Sequence, residues 1–157
     1  MASLSAIRAQ IKAVLESVPD VGIVHDYERF ASTRGAMAAL YKSGDRIKGW
    51  WFDRTATREA DLDLGAVRRV HTWRLVGYVS LDDADATGKT LQDLVEAIAA
   101  AFRAARTLGG TVMDSRDMGY TDGPAGVQVD AIEPVMFADI LCHRATLRLV
   151  TETIETV

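Results

Sequence analysis

The sequence predicts an α+β domain: a mixed, mostly antiparallel sheet of four to five strands, with two main helices packed on one face. Three observations carry this. The stretch Arg69–Leu81, RVHTWRLVGYVSL, alternates apolar and polar residues as a long half-buried strand does. Directly after it, Leu91, Leu94, Val95, Ile98, Phe102 and Ala105 recur at helical spacing. A second long alternating run, Phe137–Thr153, lies near the end of the chain.

The chain has 157 residues and no Pro- or Ser-rich linker, so one domain over residues 1–157 is expected. Hydrophobic residues are 48% of it, enough to build a core without disulfide or metal staples. The net charge is −4 and no basic block exists, which argues against free nucleic acid as a ligand. A single cysteine, Cys142, forbids an internal disulfide and fits a reducing compartment. Met1–Val18 does not read as a signal peptide, because Arg8, Lys12 and Glu16 interrupt any apolar run. No stretch of about 18 apolar residues exists, so no transmembrane helix is expected.

In chain order, Ser3 caps a first helix whose apolar stripe is Leu4, Ile7, Ile11, Val14, Leu15 and Val18, ended by Pro19-Asp20. Val21–His25 reads as a short edge strand. Phe30–Gly44 is ambiguous and allows a short helix after Ser32, ending at Gly44. Arg46–Thr55, RIKGWWFDRT, reads as a strand with rings on both faces, so one face is covered by something besides the main core. Its second ring lies either under a loop or helix of this chain or against a partner. Ala56–Ala66 is polar and acidic and reads as a long mobile hairpin loop.

On the central strand, His71, Trp73, Leu75, Gly77, Val79 and Leu81 face the core, and Val70, Thr72, Arg74, Val76, Tyr78 and Ser80 face away. Asp82, Asp83 and Asp85 end it and suit the positive end of the next helix. Thr87 or Thr90 caps that helix, Thr90 and Asp93 approximating a capping box. Arg103 and Arg106 close it before Gly109-Gly110. Thr111–Gly126 reads as a flexible Gly- and Asp-rich loop with a short strand at Thr111–Met113. Val127–Ile132 is a strand that Glu133-Pro134 bends or ends. In the last strand Leu141, His143, Ala145, Leu147 and Leu149 face inward. Ile140, Cys142, Arg144, Thr146, Arg148, Val150 and Glu152 face outward, and the tail ETIETV is expected to fray.

No chemical signature emerges. TGKT at Thr87–Thr90 resembles the end of a P-loop, but the glycine that motif needs upstream is replaced by Asp83, and three aspartates would repel a phosphate. A nucleotide site would depend on Lys89. His71 and His143 share the core face of long strands and could meet at a metal site. A core histidine bonded to backbone is the commoner case, and no HxH or HxxxH pair is present. Asp53 and Asp139 are isolated carboxylates, and no GxSxG motif occurs. The expectation is therefore a protein that is not an enzyme and holds no metal or cofactor. Interface candidates are Trp50, Phe52, Arg54, Arg74, Arg144 and Arg148, since arginine and aromatic residues are favoured at protein contacts. The arginines with Glu152 fit a solvated strand face equally well.

The order of parts is informative: an amphipathic helix, an aromatic strand, an acidic hairpin, HTWRLVGYVSLDD, GKTLQDLVEAIAAAFRA, LGGTV, a Gly-rich loop and VQVDAIEPVMFADILCHRATLRLVTE. This layout resembles the tail-terminator, or tail-completion, proteins of long-tailed bacteriophages and prophages. The resemblance is carried by His71–Asp83, Leu108–Val112 and Met136–Glu152, with little from the first fifty residues. It implies a small sheet with two helices. It also implies a ring of about six copies that caps the head-proximal end of the tail tube, stops its growth and joins it to the head connector. Partners would be other copies, the tube protein and the connector, with DNA only as cargo through the lumen. The protein would be assembled in the bacterial cytoplasm and reside in the virion. The alternatives are another neck, head-closure or minor tail subunit, or a small cytoplasmic ligand-binding oligomer.

Overall fold

The computed structural model describes residues 2–157; Met1 lies outside it. In chain order the elements are α1 (Leu4–Glu16), β1 (Ile23–His25), α2 (Arg34–Ala39), β2 (Lys42–Ser43), β3 (Arg46–Asp63), β4 (Ala66–Ser80), α3 (Thr87–Ala104), β5 (Val127–Phe137) and β6 (Ile140–Thr156). The fold is α+β. One sheet runs in the order β1-β3-β4-β6-β5, with β2 a two-residue addition on β3. Among the described residues only the β1–β3 pair is parallel.

The two long helices cover one face, as expected. Ile7, Ile11 and Leu15 of α1 and Leu91, Val95, Ile98 and Phe102 of α3 pack onto Trp50, Phe52, Trp73, Leu75, Leu147 and Leu149. Each of these side chains contributes about 1.5–3 kcal/mol by leaving water. The opposite face is not simply wet. A smaller cluster of Ala38, Tyr41, Ile47, Trp51, Val76, Phe137 and Cys142 covers part of it, with α2 as its lid. Trp51 is therefore the ring that lies under a segment of this chain.

Helix caps are partly as read. The Ser3 hydroxyl accepts from the Ala6 amide at 3.2 Å. For α2 the cap is Thr33, not Ser32, and the helix stops at Ala39, well before Gly44. Neither Thr87 nor Thr90 caps α3. Ala86 occupies the cap position with φ 51° and offers no side-chain bond. The Thr87 hydroxyl is instead buried between the Asp82 amide (2.9 Å) and His143 Nε2 (2.9 Å). The helix ends at Ala104, so Arg103 lies in its last turn and Arg106 two residues beyond its end.

Three expectations about loops and ends are overturned, two of them by strand pairing, and a fourth is narrowed. The Ala56–Ala66 segment is not a mobile loop: β3 continues to Asp63, and a two-residue turn, Leu64-Gly65, leads into β4. Its charges meet cross-strand partners, with Arg69 in ion pairs with Glu59 (2.7 Å) and Glu155 (3.3 Å). The tail does not fray, because Ile154, Glu155 and Thr156 pair with Arg68, Val67 and Ala66. Of the two outcomes expected at Glu133-Pro134, a bend or an end, the end does not occur: β5 continues to Phe137. That strand is the sheet edge, where a missing N–H is tolerated. The Thr111–Gly126 excursion is held rather than loose. The Met113 amide donates to the Glu152 carbonyl (2.8 Å), the Glu152 amide to the Asp114 carbonyl (3.0 Å), and the Met118 amide to the Glu152 carboxylate (2.7 Å).

These corrections add up to one feature. The distal parts of β3, β4 and β6 form a three-stranded ribbon that ends at the Leu64-Gly65 turn.

Candidate interface

The sequence-derived interface residues separate into three groups. Trp50 and Phe52 are fully buried in the main core under the helices, so their side chains are not surface groups. Alternation along β3 put them on the inner face, and Trp51 on the outer one.

Arg74, Arg144 and Arg148 do share the outer face, and each meets a carboxylate of its own chain. Arg74 bonds Asp53 (3.1 Å), Arg148 reaches Asp130 (3.4 Å) and Arg144 bonds Glu133 (2.5 Å). Arg74 and Arg148 are direct cross-strand neighbours, and Asp53 sits opposite Arg74 on β3. On β5 the register partner of Arg148 is Gln128, and Asp130 reaches Arg148 from the bulge, so Asp53 and Asp130 offset repulsion between the two guanidinium groups from either side. Arg74 also lies 5.0 Å from the centre of the Trp51 ring. The Glu133 carboxylate holds the Arg144 guanidinium even more firmly protonated than usual.

Arg54 is exposed at a β-bulge, where the register of β3 against β4 shifts between Arg54 and Ala56. It lines a pocket of about 430 Å³ with Leu4, Arg8, Asp26, Tyr27 and Asp53. Among the described residues Arg8, Arg29 and Arg54 take part in no ion pair. Next to the pocket Tyr27 and Phe30 are 57% and 71% exposed. This segment is fixed from beneath. The Tyr41 hydroxyl donates to the Arg29 carbonyl and accepts from its amide, both at 3.2 Å. Burial pushes the Tyr41 hydroxyl up to about 12.

The ribbon has its own surfaces. At its tip Leu64 is completely exposed and Leu62 half exposed, between Asp61 and Asp63. On its outer face a groove of about 730 Å³ runs between Ala56, Arg58, Val70, Thr72 and Val150 and the overhanging Tyr120–Pro124. Arg58 pairs with Asp117 there and lies 5.5 Å from the Tyr120 ring centre. Arg148 also lines this groove and was an interface candidate from sequence; the tip leucines were not. An apolar leucine before a turn glycine, in an acidic segment, was the available signal for the tip.

The two sheet edges differ. β5 carries a bulge between Val129 and Ala131 and the proline Pro134, both features that discourage further strand pairing. On the other side β1 covers β3 only at Gly49, Trp50 and Trp51, so β3 has no strand beside it from Phe52 outward.

The histidines do not converge. His71 lies opposite Thr151 and His143 opposite Val79, eight positions apart along β4, or about 26 Å. Their partners are hydroxyls rather than backbone: Thr57 for His71 (2.8 Å) and Thr87 for His143 (2.9 Å). His25 alone bonds backbone, at the Leu40 carbonyl (2.6 Å). Desolvation, with Arg69 and Arg54 nearby, lowers His71 to about 4. Among the described residues no group of three or more His, Cys, Asp or Glu side chains is placed to hold a metal ion. At the start of α3, Arg46 bridges Asp82 and Asp85, each at 3.1 Å. The Asp85 amide, then Arg46, holds the Asp82 carboxyl below its usual range. Among the described residues no helix is long and apolar enough to cross a membrane. Comparison with protein-family models and with curated proteins gave no match to this chain.

Proposed function

We propose that this chain is a structural virion protein that caps the head-proximal end of a phage tail tube as a ring of about six copies. In that role it stops tube polymerisation and forms the joint to the head connector. The observation that supports this most is the ribbon: a rigid, three-stranded projection with apolar side chains at its tip. A leucine pair fully or half in water costs free energy in an isolated domain and is accounted for if another protein covers it. A ring cap needs two unlike surfaces for its neighbours and a third for the tube. The ribbon tip, the pocket at Arg54 and the charged outer row at Arg74 and Arg148 are three such surfaces. In this reading the partners are other copies, the tube subunit and the connector, with DNA as passing cargo.

The test is polymerisation of the tube subunit with and without this protein, followed by electron microscopy. Tubes of limited length carrying density at one end support a cap. Unchanged length with no bound protein removes the reading. Binding without length control indicates another neck subunit.

The groove beside Arg58 is where a second reading, a small ligand-binding oligomer, would place its ligand: Arg58 and Arg148 face Asp117 and Asp122 over an apolar floor of Val70 and Val150, a mixed lining suited to a small zwitterion. A free amino acid that raises the melting temperature of this protein, but not of Arg58→Ala, would support it.

A further inference from the structure

We infer that β3 of one copy pairs antiparallel with β3 of a second copy, about a two-fold axis through Thr57. The contact is isologous and closes at two copies, so it does not rest on the ring reading.

One edge of the sheet is open. β1 lies beside β3 only at Gly49, Trp50 and Trp51. From Phe52 to Asp61 no strand covers the side of β3 away from β4, and alternate backbone N–H and C=O groups point outward there. β3 contains no proline, whereas the opposite edge strand, β5, carries Pro134. The charges of β3 do not block its edge either. Arg58 turns onto Asp117 over the outer face, and Glu59 turns onto Arg69 over the inner one.

The length of the edge and its charges select a second copy and fix the register. Counted by partners on β4, the open edge has nine rungs, from Phe52 opposite Leu75 to Asp61 opposite Val67, with Thr55 the extra residue of a bulge. Thr57, opposite His71, is the fifth, so an axis there pairs every rung. Directly opposed residues share a face of the sheet. On the inner face Thr57 then meets Thr57 of the other copy, and Arg54 meets Glu59 twice. On the outer face Ala56 meets Arg58, and Asp53 meets Ala60. No like charges stand opposite one another, and Arg54 has no carboxylate partner of its own among the described residues.

Neighbouring registers are worse. An axis at Arg58 sets Arg58 on Arg58 and Asp53 on Asp63, and an axis at Glu59 sets two glutamates together. An axis at Ala56 drives Ala60 and Asp61 of the other copy into the place that β1 holds. With the axis at Thr57, the second bulge, between Asp61 and Asp63, bends each tip out of line at the rung where β1 of the other copy stops. The helices pack at the base of the ribbon, around Trp50 and Phe52, so antiparallel pairing sends the two helical layers to opposite ends. The contact is narrow beside a standard interface of about 1,600 Å², so it forms at high protein concentration.

The experiment oxidises the full chain carrying Thr57→Cys at high concentration; native Cys142 is buried. Thr57 is exposed, and at the axis the two Cβ atoms stand about 5 Å apart, near disulfide reach. The expected result is a covalent dimer and nothing larger. Asp61→Cys, also exposed, gives no dimer, because its two copies lie about 26 Å apart along the strands. Arg54→Glu or Glu59→Arg in the Thr57→Cys background lowers the yield about tenfold, as two exposed ion pairs become repulsive, and the two changes together restore it. Rescue would not occur if Glu59 mattered only through Arg69 of its own chain. Arg54→Cys with Glu59→Cys replaces Thr57→Cys if loss of the His71 bond disturbs folding, and again stops at a dimer. Absence of a dimer from both variants overturns the contact. So does a dimer that ignores charge reversal, or one equally strong from Asp61→Cys or from Met136→Cys on the β5 edge.

Discussion

Gly77 on β4 sits directly opposite Trp50 on β3, and a Cβ at Gly77 would lie 2.4 Å from the Trp50 indole. The missing side chain is what lets the indole lie flat over β4 at the centre of the main core. Gly77→Ala must therefore push a fully buried, rigid ring. A loss of about 1–3 kcal/mol is expected from overpacking, read as a lower denaturant midpoint with unchanged slope. In a Trp50→Leu background the same glycine change should cost less, because the ring it strikes is gone. Equal costs in both backgrounds would show that the close approach is not the cause.

Trp73 Nε1 donates to Thr151 Oγ1 at 3.0 Å, and both groups are buried. Thr151→Val keeps the shape and removes the acceptor, leaving the indole N–H without a partner. The expected cost is about 1–3 kcal/mol by equilibrium unfolding. Thr151→Ser keeps the oxygen and should cost clearly less.

His71 links stability to pH. It is buried beside Trp73, bonded to Thr57, and held at about 4 in the fold. Its ordinary value is about 6.5, so between these values the unfolded chain binds a proton that the folded one refuses. Stability from this group is complete above pH 6.5 and falls as the pH drops toward 4, by on the order of 2–3 kcal/mol. His71→Gln should be less stable at pH 7.5 but lose less on going to pH 4.5. Parallel pH curves for the two proteins would refute the linkage.

Cys142 is fully buried against Tyr41 and Phe137, and burial alone raises its thiol to about 11. A thiol this protonated and this shielded should be inert to alkylating reagents at pH 8 in the folded protein. Labelling should follow global unfolding, so the rate should rise with denaturant in step with the circular dichroism transition. Fast labelling of the native state would mean that the outer cluster opens locally.

Elements whose own residues carry a strong period were legible beforehand. The stripe Ile7, Ile11, Leu15 marked α1, Leu91 to Phe102 marked α3, and Trp73, Leu75, Leu147 and Leu149 marked the inner face of the sheet. Alternation gave the sides of the strands correctly, but it did not say which side a ring such as Trp50 would count as surface. Ala56–Asp63 failed for a different reason. Its residues are mostly charged and small, with weak intrinsic strand preference, and it is a strand because β4 lies beside it, with Arg69 opposite Glu59 and also reaching Glu155 on β6. The tail from Ile154 to Thr156 was misread in the same way, since its partners lie near residue 67.

What the amino-acid order by itself determined is the fold class and its inward face, because burial of an apolar stripe depends only on local spacing. What the tertiary structure alone decided is how far the strands run, which arginines meet a carboxylate and where the two leucines of the tip end up. Those depend on pairs of residues far apart in the chain, and strand pairing between such residues has no local signature.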